Sequence, residues 1–131
     1  GAGKDTIKGG GSADILLGGS SHDTLSGGNG SDDLKGGAGD DTLDGGEGND
    51  LIHGGRGDDV LTGGDGDDRL EGQHGKDKLI GGDGDDTVVG GDGRDRAFLG
   101  TGAVVLPGRR VGVAAVVSFN NALGPAVCVQ A

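Results

Sequence analysis

From Gly9 onward the sequence falls into rows of nine residues whose register never slips: GGGSADILL, GGSSHDTLS, GGNGSDDLK, GGAGDDTLD, GGEGNDLIH, GGRGDDVLT, GGDGDDRLE, GQHGKDKLI, GGDGDDTVV and GGDGRDRAF. Residues 1–8, GAGKDTIK, supply the last eight positions of one further row. Such a period restricts the chain to a repeat architecture, in which each unit buries apolar surface only against its neighbours. Position six is always aspartate: Asp5, Asp14, Asp23, Asp32, Asp41, Asp50, Asp59, Asp68, Asp77, Asp86 and Asp95. Position eight is a branched aliphatic in every row until Ala97. Glycine holds positions one, two and four, except at Ser12, Ser21 and Gln73.

The spacing predicts the coil directly. Glycines at three of the first four positions permit a tight turn over residues one to six. The remaining three residues span about 10 Å as a short strand with its middle side chain on one face. Two turns and two strands close a flattened coil of eighteen residues, and coils stack at about 4.8 Å. One inward ladder then runs Ile7, Leu25, Leu43, Leu61, Leu79, Ala97, and the facing one Leu16, Leu34, Ile52, Leu70, Val88. The expected fold is all-β: a parallel β-roll, or β-solenoid, with a thin aliphatic core.

The same stacking sorts the position-six aspartates into two columns. Asp5, Asp23, Asp41, Asp59, Asp77 and Asp95 line one edge, and Asp14, Asp32, Asp50, Asp68 and Asp86 the other. Carboxylates about 5 Å apart repel by roughly 3 kcal/mol at an effective dielectric near 20. A hard dication between turns reverses that sign, taking carboxylate and turn carbonyl oxygens. The carbonyls expected to contribute are those of Gly27, Gly28, Gly30, Gly36, Gly37, Gly39, Gly45, Gly46 and Gly48, then Gly54, Gly55, Gly57, Gly63, Gly64, Gly66, Gly81, Gly82 and Gly84. All-oxygen ligation from flexible turns selects Ca²⁺ over zinc, copper or strictly octahedral magnesium, with at most about nine ions in the gaps.

Charge supports this reading. Residues 1–98 hold all 22 acidic residues and nine of the eleven basic ones, giving −13; residues 99–131 hold only Arg109 and Arg110. A segment of −13 repels phosphate backbones and anionic lipid, so neither nucleic acid nor membrane contact is expected of it. Leu, Ile, Val and Phe make up 17 of its 98 residues. That lies below the roughly 20 % associated with disorder at high net charge, so an ordered state is expected to depend on metal.

These rows resemble the RTX (repeats-in-toxin, hemolysin-type) calcium-binding nonapeptide, GGxGxDxUx, and the rows starting at Gly27, Gly36, Gly45, Gly54, Gly63, Gly81 and Gly90 carry every glycine and the aspartate. The resemblance implies calcium held between successive turns on both edges of the roll. It also implies a secreted or cell-surface bacterial protein, exported unfolded through a one-step secretion channel and folding in extracellular calcium. Ser12 and Ser21 are expected to distort the first turns, Gln73 and Lys76 the surroundings of Asp77, and Arg94 those of Asp95. The pairs Asp32–Asp50, Asp41–Asp59 and Asp50–Asp68 carry the pattern most cleanly.

Other functions fit worse. A flexible linker has no reason to hold Asp and Leu in register over eleven rows. An EF-hand loop needs Gly five residues after its first Asp, where Leu70 and Val88 follow Asp65 and Asp83. No phosphate-loop, HExxH or GxSxG motif occurs. His22, His53 and His74 stand at different repeat positions and do not converge, while Asp40/Asp41 and Asp58/Asp59 point to opposite sides. No catalysis is expected of this chain itself; the alternative is the C-terminal part of a secreted metalloprotease, lipase or toxin. A surface adhesion or ice-binding repeat would use a Thr ladder, but Thr6, Thr24 and Thr42 give way to Val60, Lys78 and Arg96. Residues 99–131 are read as an apolar cap or export-related tail with short strands at Val104–Leu106 and Val111–Val117. Cys128 is single, so no internal disulfide forms, and no role is assigned to it.

Overall fold

The computed structural model describes residues 1–100 with their side chains, and the backbone of strands 103–106, 109–112, 115–120 and 127–130. Each row yields a strand, the last two sharing one: β1 Thr6–Gly11, β2 Ile15–Ser20, β3 Thr24–Asn29, β4 Asp33–Ala38, β5 Thr42–Glu47, β6 Leu51–Arg56, β7 Val60–Asp65, β8 Arg69–Gly75, β9 Lys78–Asp83 and β10 Thr87–Leu99. Odd strands pair in parallel with odd and even with even, at an offset of eighteen residues, as in Leu25↔Leu43, Leu43↔Leu61 and Leu34↔Ile52. β10 joins both stacks, pairing with β8 over Thr87–Gly93 and with β9 over Arg96–Phe98. The result is a parallel β-roll of strands and bends, with no helix among the described residues.

Both predicted ladders form the core. Leu16, Leu25, Leu34, Leu43, Ile52, Leu61, Leu70, Leu79, Val88 and Ala97 are buried, with Ile7 packed against them and partly exposed. Full burial of each large aliphatic contributes about 1.5–3 kcal/mol.

The strands are longer than the spacing suggested, six residues in β1 to β7 and β9 rather than three, and in these the bend is confined to positions four to six. Glycines at positions one and two stay within the strands because parallel pairing continues through position two, as in Gly28↔Gly46. Gly28 does so at φ 111°, a conformation that L side chains rarely adopt. Ser21 and Gln73, which replace glycine, keep positive φ at 91° and 79°. Neighbouring coils therefore impose the repeat backbone on them, at a strain of order 1–3 kcal/mol each. Ser21 still donates its N–H to Ala38 O at 2.7 Å, so the expected distortion of its turn does not occur.

Beyond the rows, β11 Ala103–Leu106 runs parallel to β10 at Thr87↔Val105, and β12 Arg109–Gly112 pairs antiparallel to β11. β13 Ala115–Asn120 pairs antiparallel to β10 from Arg94 to Leu99, and β14 Val127–Gln130 to β13. Through their backbone pairing these strands extend both sheets beyond the last coil. The composition changes at residue 98, but β10 continues to Leu99, which is buried in the core. No helix of the described residues is long and apolar enough to cross a membrane.

Candidate metal centre

Along each row the side chains at positions six and eight and the glycine at position one alternate inward, so the aspartate is buried beside the aliphatic ladder. Asp23, Asp32, Asp41, Asp50, Asp59, Asp68, Asp77, Asp86 and Asp95 are all buried, whereas Asp5 and Asp14 of the first coil are only partly so. The two columns form as the spacing requires, but inside the roll's edges rather than on their surface.

The two carboxylate oxygens have different roles. Oδ1 accepts the backbone N–H of the aspartate eighteen residues earlier: Asp41 from Asp23 at 2.7 Å, Asp59 from Asp41 at 2.8 Å, Asp68 from Asp50 at 2.8 Å and Asp95 from Asp77 at 2.9 Å. Oδ2 of Asp14, Asp23, Asp32, Asp41, Asp50, Asp59, Asp68, Asp77 and Asp86 is buried with no protein hydrogen-bond partner. Leaving a charged oxygen buried and unsatisfied costs several kcal/mol unless it finds a proton or a cation.

The charge responds accordingly. Burial pushes the Asp59 and Asp68 carboxyls up from an ordinary 3.8 to about 7, and Asp77 to about 6. The N–H bond from the preceding turn pulls each partly back, and stacked carboxylates push it up again. Asp41, Asp50, Asp86 and Asp95 are raised with the same first cause.

What faces the unsatisfied oxygen is shown by the position-one glycines. A Cβ on Gly27 would fall below 3.0 Å from Asp32 Oδ2 and 2.6 Å from the carbonyl oxygen of Gly45 in the next turn. The same holds at Gly36 for Asp41 Oδ2 and Gly54 O, at Gly45 for Asp50 Oδ2 and Gly63 O, and at Gly63 for Asp68 Oδ2 and Gly81 O. Strand pairing skips position one in every pair, so these carbonyls belong to the cradle at a break in the ladder. A carboxylate oxygen and a backbone carbonyl from successive turns thus share one small space that glycine keeps open. The donor set is all oxygen, which fits a hard divalent cation such as calcium. No group of three or more His, Cys, Asp or Glu side chains converges among the described residues, so carbonyls must complete any such site. The remaining candidate glycines stand beside the cradle: Gly28, Gly37, Gly46, Gly55, Gly64 and Gly82 in the sheet ladder, Gly30, Gly39, Gly48, Gly57, Gly66 and Gly84 at the bend.

Reading the sequence overlooked position five. Its side chain accepts the N–H of the residue eighteen positions later: Asp40 Oδ1 from Asp58, Asp58 Oδ1 from Lys76, Asn49 Oδ1 from Asp67 and Asp67 Oδ1 from Asp85, each at 2.9 Å. This exposed ladder runs opposite in sense to the buried one at position six, so adjacent residues clamp each turn to both neighbours. The enrichment of short acceptors (Ser31, Asp40, Asn49, Asp58, Asp67, Asp85) was its signal. The histidines remain separate: His22 Nδ1 accepts from Asp40 N–H, His53 lies 3.3 Å from Glu71 and His74 3.2 Å from Asp92.

Comparison with known proteins agrees with this geometry. A search of curated proteins returns no match. The family model described as RTX calcium-binding nonapeptide repeat matches four times, over residues 1–25, 26–61, 62–97 and 71–106. Those matches span most of the sequence and coincide with the stacked coils and buried aspartates; the chain belongs to the RTX calcium-binding nonapeptide repeat family.

Proposed function

We propose that this chain is a calcium-binding repeat module of a secreted bacterial protein, ordered by extracellular Ca²⁺ and without catalysis of its own. The position-six aspartates, with the position-one glycine carbonyls of the next turn, are the ligands. The observation that carries this reading is the row of buried Oδ2 atoms without protein partners, each sharing a glycine-walled space with a carbonyl oxygen. Bound calcium supplies positive charge where the stacked carboxylates would otherwise repel. The protein's own part is to fix the oxygens: N–H groups hold Oδ1, and glycine leaves Oδ2 accessible.

Extracellular calcium modules bind at about 10⁻⁴–10⁻³ M, so cytosolic calcium leaves such sites empty and export through a secretion channel in an unfolded state becomes feasible. An activity of the whole protein would reside in another domain. The test is a circular dichroism titration. β-structure should be largely absent in EDTA at pH 8 and appear cooperatively by about 10 mM calcium. Equal β-content in both conditions would refute calcium-dependent folding.

A further inference from the structure

The two aspartate columns are alike in the buried residues but not around them. The edge carrying Asp32, Asp50, Asp68 and Asp86 is formed by the rows starting at Gly27, Gly45, Gly63 and Gly81. Its exposed positions three and five hold Glu47, Asp65, Asp67, Asp83 and Asp85 and no basic residue. The opposite edge carries Asp23, Asp41, Asp59, Asp77 and Asp95. Its positions three and five hold Asp40, Asp58 and Asp92, balanced by Arg56, Lys76 and Arg94. The flanking charge is therefore −5 on one edge and zero on the other.

The register makes these charges stack rather than scatter. Glu47 pairs with Asp65, and Asp65 with Asp83, so one acidic column follows the bend. On the other edge Arg56 pairs with His74, and Lys76 donates its N–H to Asp58, which places its ammonium chain where the acceptor ladder ends. Both edges present the same buried, unpartnered Oδ2 atoms, at Asp32, Asp50, Asp68 and Asp86 on one and at Asp23, Asp41, Asp59 and Asp77 on the other. The local ligands are equal, so the difference in field decides between them.

We infer that the two edges are inequivalent cation sites, the acidic edge taking up divalent cations first and more tightly, the edge bearing Arg56, Lys76 and Arg94 filling later. This rests on the calcium reading above and adds an order of loading within it. Calcium would then register in two steps: one edge at lower concentration, the other only when the roll meets a fuller supply. Exposed charges act through screened fields, so the gap should be at least about tenfold in affinity at low salt and narrow in about 0.5 M salt.

The test is calcium binding by calorimetry on the intact chain and three paired variants, with dichroism in saturating calcium to verify the fold. The wild-type isotherm should resolve two classes of site. Glu47→Gln with Asp65→Asn, both exposed, should weaken the tighter class alone. Asp40→Asn with Asp58→Asn, which retains the Oδ1 acceptor, should weaken the looser class alone. Lys76→Asn with Arg94→Asn should tighten the looser class and merge the two. The inference is overturned if both acidic pairs weaken the same class equally, or if removing Lys76 and Arg94 leaves the isotherm unchanged. Calcium uptake absent from every protein at millimolar concentration would instead remove the calcium reading itself.

Discussion

The first coil and the middle coils are built from the same nine-residue rule and end in different physical states. Around residues 34–79 the aliphatic ladder is fully buried and the aspartates are sealed, with Asp59 only 1 % exposed. In the first coil Asp5 and Asp14 are partly exposed, Ile7 is partly buried, and Ile15 and Leu17 are exposed at 74 % and 57 %. The lesson is that a row does not own its environment: its core and its buried charge come from the coils stacked on it.

The largest test of that contrast is at glycine. Gly63→Ala would drive a Cβ into Asp68 Oδ2 and to 2.5 Å from the carbonyl oxygen of Gly81, both fixed by the stack. Loss of more than about 3 kcal/mol is expected in urea titrations with saturating calcium. Gly11→Ala, with nothing within 4 Å of its Cβ and no positive φ, should change stability by less than about 0.5 kcal/mol. Comparable losses would mean that the coils do not pack as described.

Next in size is the core. Leu61→Ala should cost about 2–5 kcal/mol, because a cavity opens between two filled neighbours. Ile7→Ala should cost about 1 kcal/mol or less, since part of that side chain already meets solvent. Aspartate gives a smaller but more specific readout. Asp59 faces gaps shared with Asp41 and with Asp77, so Asp59→Ala should remove about two ions in calorimetry, against about one for Asp5→Ala. Equal stoichiometry would break the column picture.

The smallest effect is in pH. Carboxyls raised by burial in the fold favour it most when protonated, so their contribution is complete below about 3.8 and is lost as pH rises through about 6–7. In EDTA, β-structure should therefore be greater at pH 5 than at pH 8, the reverse of ordinary acid denaturation. Asp59→Asn should flatten that profile. Metal-free β-structure that falls on acidification from pH 8 to pH 5 would contradict the burial of these carboxyls.

Most of the architecture was legible in the period. Leu25, Leu43 and Leu61 are core residues because eighteen residues bring each back to the same place, and Asp41 and Asp59 stack for the same reason. Strand length was not legible, because glycine is permissive: its presence announced a turn, yet position two remains in the sheet with positive φ. The role of Ser21 and Gln73 was hidden likewise, since their backbone is set by coils above and below rather than by their own preference. Position five was visible as a run of acceptors, but the direction of its bonds was not.

Sequence by itself determined the period, the inward ladders and the recurrence of one carboxylate per turn, because these follow from counting along the chain. Tertiary structure alone decided that each carboxylate is buried and that Oδ1 is bonded while Oδ2 is not. The physical reason is distance along the chain. A side chain's hydration, partners and field come from atoms eighteen residues away, and only stacking brings those atoms within reach.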